Sequence, residues 1–368
     1  MVDAGKGYTK GGTYQIGRDR IIQKRFVTRY SGNADFDDDN LANETFLFDI
    51  DGETYKVGYS GDVRTEATSS KLSEIHKIGY YASIAMSLSC YEDWSSAKDT
   101  CVDFGNVICG FSIPTSFILE PEVVRQYREF IFDDLGKQHK VRLKLKAGAP
   151  VREFTFTIIA GHIFPEGVGA GYGLAAQLPD VYGIADIGYF NTSITYYQAG
   201  IPYPRYSNTY ELGYQNLCAN IGSGLSKELK TSINEDYINI VMQRPREMRY
   251  LQSQRDPDGS KALSEKVFKA QSDSFIEQIL RKMKENEWPV DYMQLIFIGG
   301  TSLCLKDTIY EKFGNSVIIP DNAHYIHVYG CLQKLALMHD CKINKEIAKV
   351  STEKAGTVIP MQQAEQAG

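Results

Sequence analysis

Short apolar runs and helical stripes alternate along the chain. Phe46-Leu47-Phe48-Asp49-Ile50 and Thr54-Tyr55-Lys56-Val57-Gly58 read as two strands joined at Asp51-Gly52, a dipeptide that accepts the positive φ of a tight hairpin. Leu72, Ile75, Ile78, Ala82, Ala85 and Met86 then recur at helical spacing. Val107 to Ile113 reads as a buried strand ended by Pro114, Glu122 to Leu135 as a helix, and Phe154 to Ile159 as another strand. Lys140 to Lys146 alternates strictly, which puts Lys140, Arg142, Lys144 and Lys146 on one strand face, expected to be solvated. A small-residue helix is expected over Gly169 to Leu178, followed by a strand–turn–strand unit, Val181 to Ile187 and Thr192 to Tyr197. Residues 211–256 look mixed and mostly helical. An amphipathic helix carries Leu263, Val267, Phe268, Phe275, Ile276, Ile279, Leu280 and Met283 and stops before Pro289. Leu295 to Ile298 is a fully apolar strand, and residues 324–339 form a last helix. Hairpin, strand and helix thus recur in two halves, which predicts two related α/β lobes with a cleft between them.

Composition narrows the classes. The 368 residues are 43% hydrophobic and 23% charged, ordinary globular usage, and the net charge of −6 argues against a chain that coats nucleic acid by charge. No run of 18 apolar residues predicts a membrane span, and Met1 to Gly7 lacks the apolar segment of a secretory signal. Seven cysteines, an odd number with no C-x-x-C pair, predict reduced thiols, no zinc site and a cytoplasmic location. His324 and His327 are expected to flank an element end rather than hold metal. The basic stretch Arg18 to Phe26 and the acidic loop Asp35 to Asp39 read as solvated faces, and Gln362 to Gly368 as disordered. Only two residues precede Asp3, so either the first strand is very short or the natural start lies upstream.

Three glycine-bearing turns offer backbone N–H groups to an anion: Asp3-Ala4-Gly5-Lys6-Gly7-Tyr8-Thr9-Lys10, Asp186-Ile187-Gly188-Tyr189-Phe190-Asn191-Thr192, and Gly299-Gly300-Thr301. Taken singly each is an ordinary turn, and Asp3 and Asp186 read as turn residues satisfying local amides. No P-loop and no dinucleotide fingerprint is present. In order, however, the segments resemble those of the actin superfamily, and most closely the bacterial plasmid-segregation actins called ParM. The first two turns resemble the family's two phosphate loops, and Ile298-Gly299-Gly300-Thr301 its adenosine motif. Pro165-Glu166-Gly167 with Ala170-Gly171-Tyr172, and Asn322-Ala323-His324 through Tyr329-Gly330, are similar to two further family segments. The Asp51-Gly52 hairpin looks like its small subdomain IB.

The resemblance implies an actin-like two-lobed fold, two related RNase H-like domains around a nucleotide cleft. Domain I is expected over 1–150 with a small subdomain at about 25–70, domain II over 151–337 with another at about 220–270, and a tail from 338 to 368. It implies ATP or GTP with Mg²⁺ held, through water, by Asp3 and Asp186. Lys10 would neutralise phosphate charge and Glu166 would orient the attacking water, making Glu166, Asp3 and Asp186 the catalytic set. Gly5, Lys6, Gly7, Tyr8, Gly188, Tyr189, Phe190, Asn191, Thr192, Gly299, Gly300 and Thr301 would bind nucleotide, with Gly213 lining the same pocket. Lys266 would touch the base, although with Glu265 it also reads as part of a helix-surface ion pair. Tyr189 and Phe190 are bulky where many relatives carry small residues. The implied function is an ATPase that assembles head to tail into filaments and moves plasmid or phage DNA through a ParR-like adaptor on a centromere-like site, without membrane contact. A non-polymerising small-molecule kinase of the same fold, or a cytoskeletal actin, are the alternatives.

Overall fold

The computed structural model describes residues 1–17, 20–65, 70–94, 101–118, 120–314 and 317–341. The expected disorder of the C-terminal end falls on residues outside that set, as do Arg18 and Asp19 of the basic stretch.

Two sheets organise the chain. Into the first run β1 (Val2–Ala4), β2 (Tyr8–Tyr14), β3 (Ile21–Val27), β4 (Arg29–Gly32), β5 (Thr45–Ile50), β6 (Glu53–Gly58) and β7 (Val63–Arg64). After helix α1 (Glu74–Leu88) come β8 (Val102–Ile113), helix α2 (Pro121–Ile131), β9 (Gln138–Lys144) and β10 (Arg152–Pro165). Their order is β3-β2-β1-β8-β10-β9-β5-β6-β4-β7. The division expected at 150/151 therefore shifts: β10 pairs parallel with β8 along most of its length, so the first sheet continues to Pro165.

Helix α3 (Val168–Leu174) leads to the second sheet, made of β11 (Val181–Ile187), β12 (Thr192–Gln198), β13 (Ile201–Tyr210) and, after helices α4 (Tyr214–Leu229), α5 (Glu235–Met242) and α6 (Pro257–Glu285), β14 (Gln294–Ile298). Helices α7 (Gly300–Cys304), α8 (Lys306–Phe313) and α9 (Ile326–Met338) complete the described chain. The order β13-β12-β11-β14 repeats the winding β3-β2-β1-β8: three antiparallel strands, then a later strand parallel to the first. The two halves share this winding.

Three apolar cores follow from these layers. One lies between the first sheet and α1 with α2, and includes Tyr80, Phe111, Ile131 and Phe154. A second joins the second sheet to α4, α5 and α6 through Leu217, Ile221, Phe275, Ile279 and Phe297. The third takes Phe164 from the first sheet, Tyr182, Ile184 and Ile298 from the second, Val168 from α3 and Val328 from α9. The crossing of α3 and α9 thus sits between the sheets. No helix among the described residues is long and apolar enough to cross a membrane.

The charged face of β9 departs from the solvated one expected. Lys144 is buried, 2.7 Å from Asp39 and bonded to the Phe36 carbonyl, and the Arg142 guanidinium lies 4.3 Å from the centre of the Phe36 ring. Lys56 holds Asp38 at 2.6 Å. The acidic loop folds over the basic face, so local charge patterning describes a contact rather than two solvated surfaces.

On the other face of β9, buried His139 sits between Asp51 Oδ2 at 2.9 Å and Asp134 Oδ2 at 3.1 Å. Lys137 also reaches Asp51, and the Tyr81 hydroxyl donates to Asp134. Burial alone would lower the His139 pKa, but the two carboxylates outweigh it and raise it above 6.5. The carboxylates themselves are held below their usual range despite burial. A raised histidine stabilises fully below its unfolded pKa and loses that contribution as pH rises through the folded value. The melting temperature is therefore expected to fall from pH 6 to pH 8, and His139→Gln to flatten that slope in a thermal scan. An unchanged slope would remove His139 from the account.

Candidate functional site

The first turn is built by register. Asp3 on β1 pairs with Lys10 on β2, so both side chains share one face of the sheet, and their charges approach to 3.8 Å. Thr28 fixes the turn between them, its hydroxyl donating to the Gly5 carbonyl at 2.6 Å and its N–H to the Gly7 carbonyl. The Thr65 hydroxyl donates to the Lys6 carbonyl. The Lys6 side chain acts on Glu166, Lys71 and Glu211, and partial burial lowers its pKa.

Sequence reasoning missed the residue at the centre of this site. Lys71, just before α1, is 4% exposed, and its Nζ lies 2.7 Å from Glu166 Oε1, 3.3 Å from Asp3 Oδ1 and 3.2 Å from the Ser112 carbonyl. Burial opposes its charge, yet Glu166 and Asp3 more than compensate and raise its pKa. Conversely, burial opposes the Asp3 carboxylate, and Lys71 with Lys10 overrides it, lowering its pKa to about 2. In Ser70-Lys71-Leu72 nothing local marks the lysine, because a charge ahead of an amphipathic helix ordinarily faces water.

Glu166 ends β10. Its N–H donates to the Ile113 carbonyl at 2.8 Å and its own carbonyl accepts from the Thr115 hydroxyl at 2.8 Å, which fixes the backbone. Beside it, buried His327 in the first turn of α9 accepts the Gly169 N–H on Nδ1 at 3.1 Å. The proton of a neutral ring then sits on Nε2, 2.6 Å from Ser112 Oγ. Burial lowers this histidine to about 4, with Lys10 and Lys71 adding to the effect against Asp3.

The second turn occupies the equivalent place in the other sheet. Gly188 donates to the Asn191 carbonyl at 2.8 Å, closing the β11–β12 hairpin. The first N–H groups of α4 serve this tip: Tyr214 donates to Gly188 and Gln215 to Tyr189. The Thr192 hydroxyl donates to the Leu212 carbonyl. Gly213 lies under the tip, where a Cβ would stand 2.4 Å from the Phe190 carbonyl carbon, so its role is to seat the hairpin. Tyr189 reaches the other lobe. A Cβ on Gly7 would stand 2.7 Å from Tyr189 Cβ, so the two turns touch, and the ring packs edge-on against Phe190 and near Tyr214.

Asp186 closes β11 opposite Ile298. Gly299, at φ +89, admits no side chain, since a Cβ would lie 2.5 Å from the Ile187 carbonyl oxygen and 3.0 Å from Asp186 Oδ1. The His324 imidazole rests on Gly300, and Thr301 is buried in the same turn. Among the described residues Asp186 has no ion-pair partner. Burial raises its pKa to about 7. Asp3 and Glu166 push in the same direction, and Lys10 and Lys71 oppose them. Five charges, Asp3, Lys10, Lys71, Glu166 and Asp186, therefore act on one another at the junction of the sheets. Lys266 is not among them. It is exposed on α6, beside the Lys261–Glu265 surface pair at 3.9 Å.

Mg²⁺ suits such a donor set. Among the described residues no three metal-capable side chains converge into a closed cage, but Mg²⁺ takes one or two carboxylates, waters and phosphate oxygens rather than an all-protein cage. A half-buried carboxylate without an ion-pair partner among the described residues, which Asp186 is, favours a cation at that point.

No protein-family model matches the chain, and no curated protein matches it significantly. Solved structures do. An archaeal actin homologue, Ta0583, is 17% identical with a TM-score of 0.64, over 92% of this chain and 100% of that one. ParM of Bacillus thuringiensis with ATP is 15% identical at a TM-score of 0.62, over 92% and 98%. The Alp12 filament structure is 20% identical at 0.59, also over 92% and 98%. With its repeated winding and its two carboxylate-bearing turns meeting between the sheets, the chain has the actin-like fold of these structures.

Proposed function

We propose that the chain is a polymerising, nucleotide-dependent ATPase that binds Mg-ATP where the Asp3 and Asp186 turns meet. One observation carries this reading: two topologically equivalent carboxylate-bearing turns, one per sheet, face a common cluster of lysines and Glu166. The solved relatives support it, since one was determined with ATP, another as a filament, and Ta0583 also with ADP.

In this reading Lys10 and Lys6 neutralise phosphate charge, and the backbones of residues 5–8 and 188–192 supply amides. Gly299-Gly300-Thr301 receives the nucleoside side. Asp186 holds Mg²⁺ through water, and Asp3 shares that role while keeping Lys10 and Lys71 in place. Bound Mg²⁺ supplies charge neutralisation at the phosphate oxygens. Glu166, steadied by Lys71, orients the attacking water. Head-to-tail contact between identical subunits does not close on itself and grows filaments, and loss of the cross-cleft phosphate contact weakens them. DNA is the proposed cargo, held through a small DNA-binding adaptor because a net charge of −6 disfavours direct contact with phosphate.

Asp186→Asn tests the centre of the site. Mg-dependent ATP affinity, measured by calorimetry, is expected to fall about 10- to 100-fold. The wild type should lose affinity as pH drops below about 7, because protonation removes the carboxylate. Without Mg²⁺ the sign reverses for stability. A carboxyl whose pKa is raised on folding stabilises fully below its unfolded pKa and loses that contribution as pH rises through the folded value, at a cost on the order of 2–4 kcal/mol at pH 8. The cation-free variant should therefore melt above the wild type at pH 8. Light scattering after ATP addition tests assembly. A Mg-dependent rise absent from the variant is expected, and no rise with any nucleotide overturns polymerisation.

A further inference from the structure

Strand register extends the charged row by one residue. Asp3 pairs with Lys10, and Lys10 pairs with Arg25 on β3, so the three side chains point from one face of three adjacent strands. The orientation of that face is fixed by its neighbours: a Cβ on Gly12, two residues from Lys10, would meet Val328 of α9, whereas one on Gly11 would meet Ser83 of α1. Lys10 and Arg25 therefore look toward the start of α9 and the turn that carries Gly300. Arg25 accordingly acts electrostatically on His324 and Tyr325, from the opposite side of the junction. Tyr8 orients it, with the guanidinium 5.5 Å from the ring centre.

The cations of this face differ in what they hold. Lys71 is saturated by Asp3, Glu166 and the Ser112 carbonyl, and Lys10 has Asp3. Arg25 is exposed and, among the described residues, has no carboxylate within ion-pair distance; its described contact is the Tyr8 ring. His324, which it faces, is kept neutral, at about 4, by burial and by the charges of Arg25 and Lys10, so it offers no competing positive charge. A guanidinium steadied by an aromatic ring, lacking an anion and beside a lysine on the same face suits a planar, bidentate partner such as a phosphate group.

We propose that Arg25 is a further phosphate-binding cation of the cleft, in addition to Lys10 and Lys6, reaching the polyphosphate of a bound nucleotide beside Lys10. The proposal rests on the nucleotide-site reading above and adds a residue to it. Because Arg25 binds phosphate charge rather than the nucleoside, its contribution grows with the number of phosphates, and it distinguishes di- and triphosphates from a monophosphate.

Equilibrium binding of ATP, ADP and AMP to the full chain, with Mg²⁺, tests this in Arg25→Gln and Arg25→Lys, with Lys10→Gln and Asp186→Asn alongside. Arg25→Gln is expected to weaken ATP and ADP about 10- to 100-fold and AMP less than about 3-fold. It should also flatten the salt dependence of ATP binding, while Arg25→Lys recovers part of the loss. As the side chain is exposed, the melting temperature without nucleotide should hold. If Arg25→Gln binds ATP within about 2-fold of the wild type while Lys10→Gln and Asp186→Asn have lost it, the assignment fails and the site reading stands. An equal loss for ATP and AMP with a lowered melting temperature also overturns it, as a structural role. A wild type that binds none of the three nucleotides overturns the site reading, and this assignment with it.

Discussion

Glu166→Gln is expected to leave ATP-driven assembly intact and to slow phosphate release by about 100-fold or more, the range for loss of a positioned acid–base group. The geometry makes the substitution specific. The Glu166 backbone is tied to Ile113 and Thr115, neither of which depends on the side chain. Glutamine keeps the volume and an acceptor oxygen, so β10 and its junction with α3 should hold. Lys71 keeps Asp3 and the Ser112 carbonyl and is not left as an unpaired buried charge. What is lost is the negative charge that steadies Lys71 at 2.7 Å and, in the proposed role, polarises water. Coupled phosphate release and light scattering separate the two effects. Normal turnover in this variant removes Glu166 from the mechanism, and lost assembly with normal release makes it a structural residue.

Removing that charge also touches Asp186, whose pKa is raised partly by Glu166. The Gln variant should ionise Asp186 at lower pH, so its Mg-nucleotide binding should persist further into the acid range than that of the wild type. A purely structural role for Glu166 does not produce that shift.

The parts legible in sequence were those fixed by local chemistry. Asp51-Gly52 joins β5 to β6 with both residues at positive φ, as such a dipeptide requires. The apolar run before Gly299 is a strand because it is buried on both faces, and α6 spans Pro257–Glu285 with Val267, Phe268, Phe275, Ile276, Ile279 and Met283 inward, although it begins six residues before Leu263, which the expected stripe included and which is exposed. Elements decided by distant partners were harder to see. β3 read as a basic stretch because Gln23, Lys24 and Arg25 break its alternation, and only pairing with β2 makes it a strand. β13 carries Pro202 and Pro204, which an edge strand tolerates because one side of its backbone needs no partner.

The same division holds in the site. Asp3, Glu166 and Asp186 stand beside glycine turns, and such turns are written in the sequence. Lys71, Ser112 and His327 come from three remote segments, and their polarity acquires meaning only when the fold buries them around Asp3. A lysine that is 4% exposed looks no different in sequence from one in water.

The crossing of α3 and α9 should be the least tolerant point in the molecule. A Cβ on Gly169 would stand 1.8 Å from the His327 carbonyl oxygen, and one on Gly330 1.8 Å from that of Gly169. Those obstacles are backbone atoms, so no rotamer relieves them, and the helices must separate by more than about 1 Å to reach ordinary contact. Alanine normally stabilises a helix interior over glycine by roughly 0.5–1 kcal/mol. Here the overlap reverses that sign, and Gly330→Ala is expected to cost about 3 kcal/mol or more, enough to remove much of a marginal stability. The effect should reach the site, because Glu166 lies two residues before α3, His324 two residues before α9, and His327 in the first turn of α9. Nucleotide affinity in whatever fraction folds should fall too. Gly105→Ala is the comparison: it lies at φ +67 with open space around it, so it costs only backbone strain, about 1 kcal/mol. Denaturant titration of the pair separates the contributions. Equal losses would mean that the close helix crossing contributes nothing beyond glycine's backbone preference, and that the two sheets are joined by some other contact.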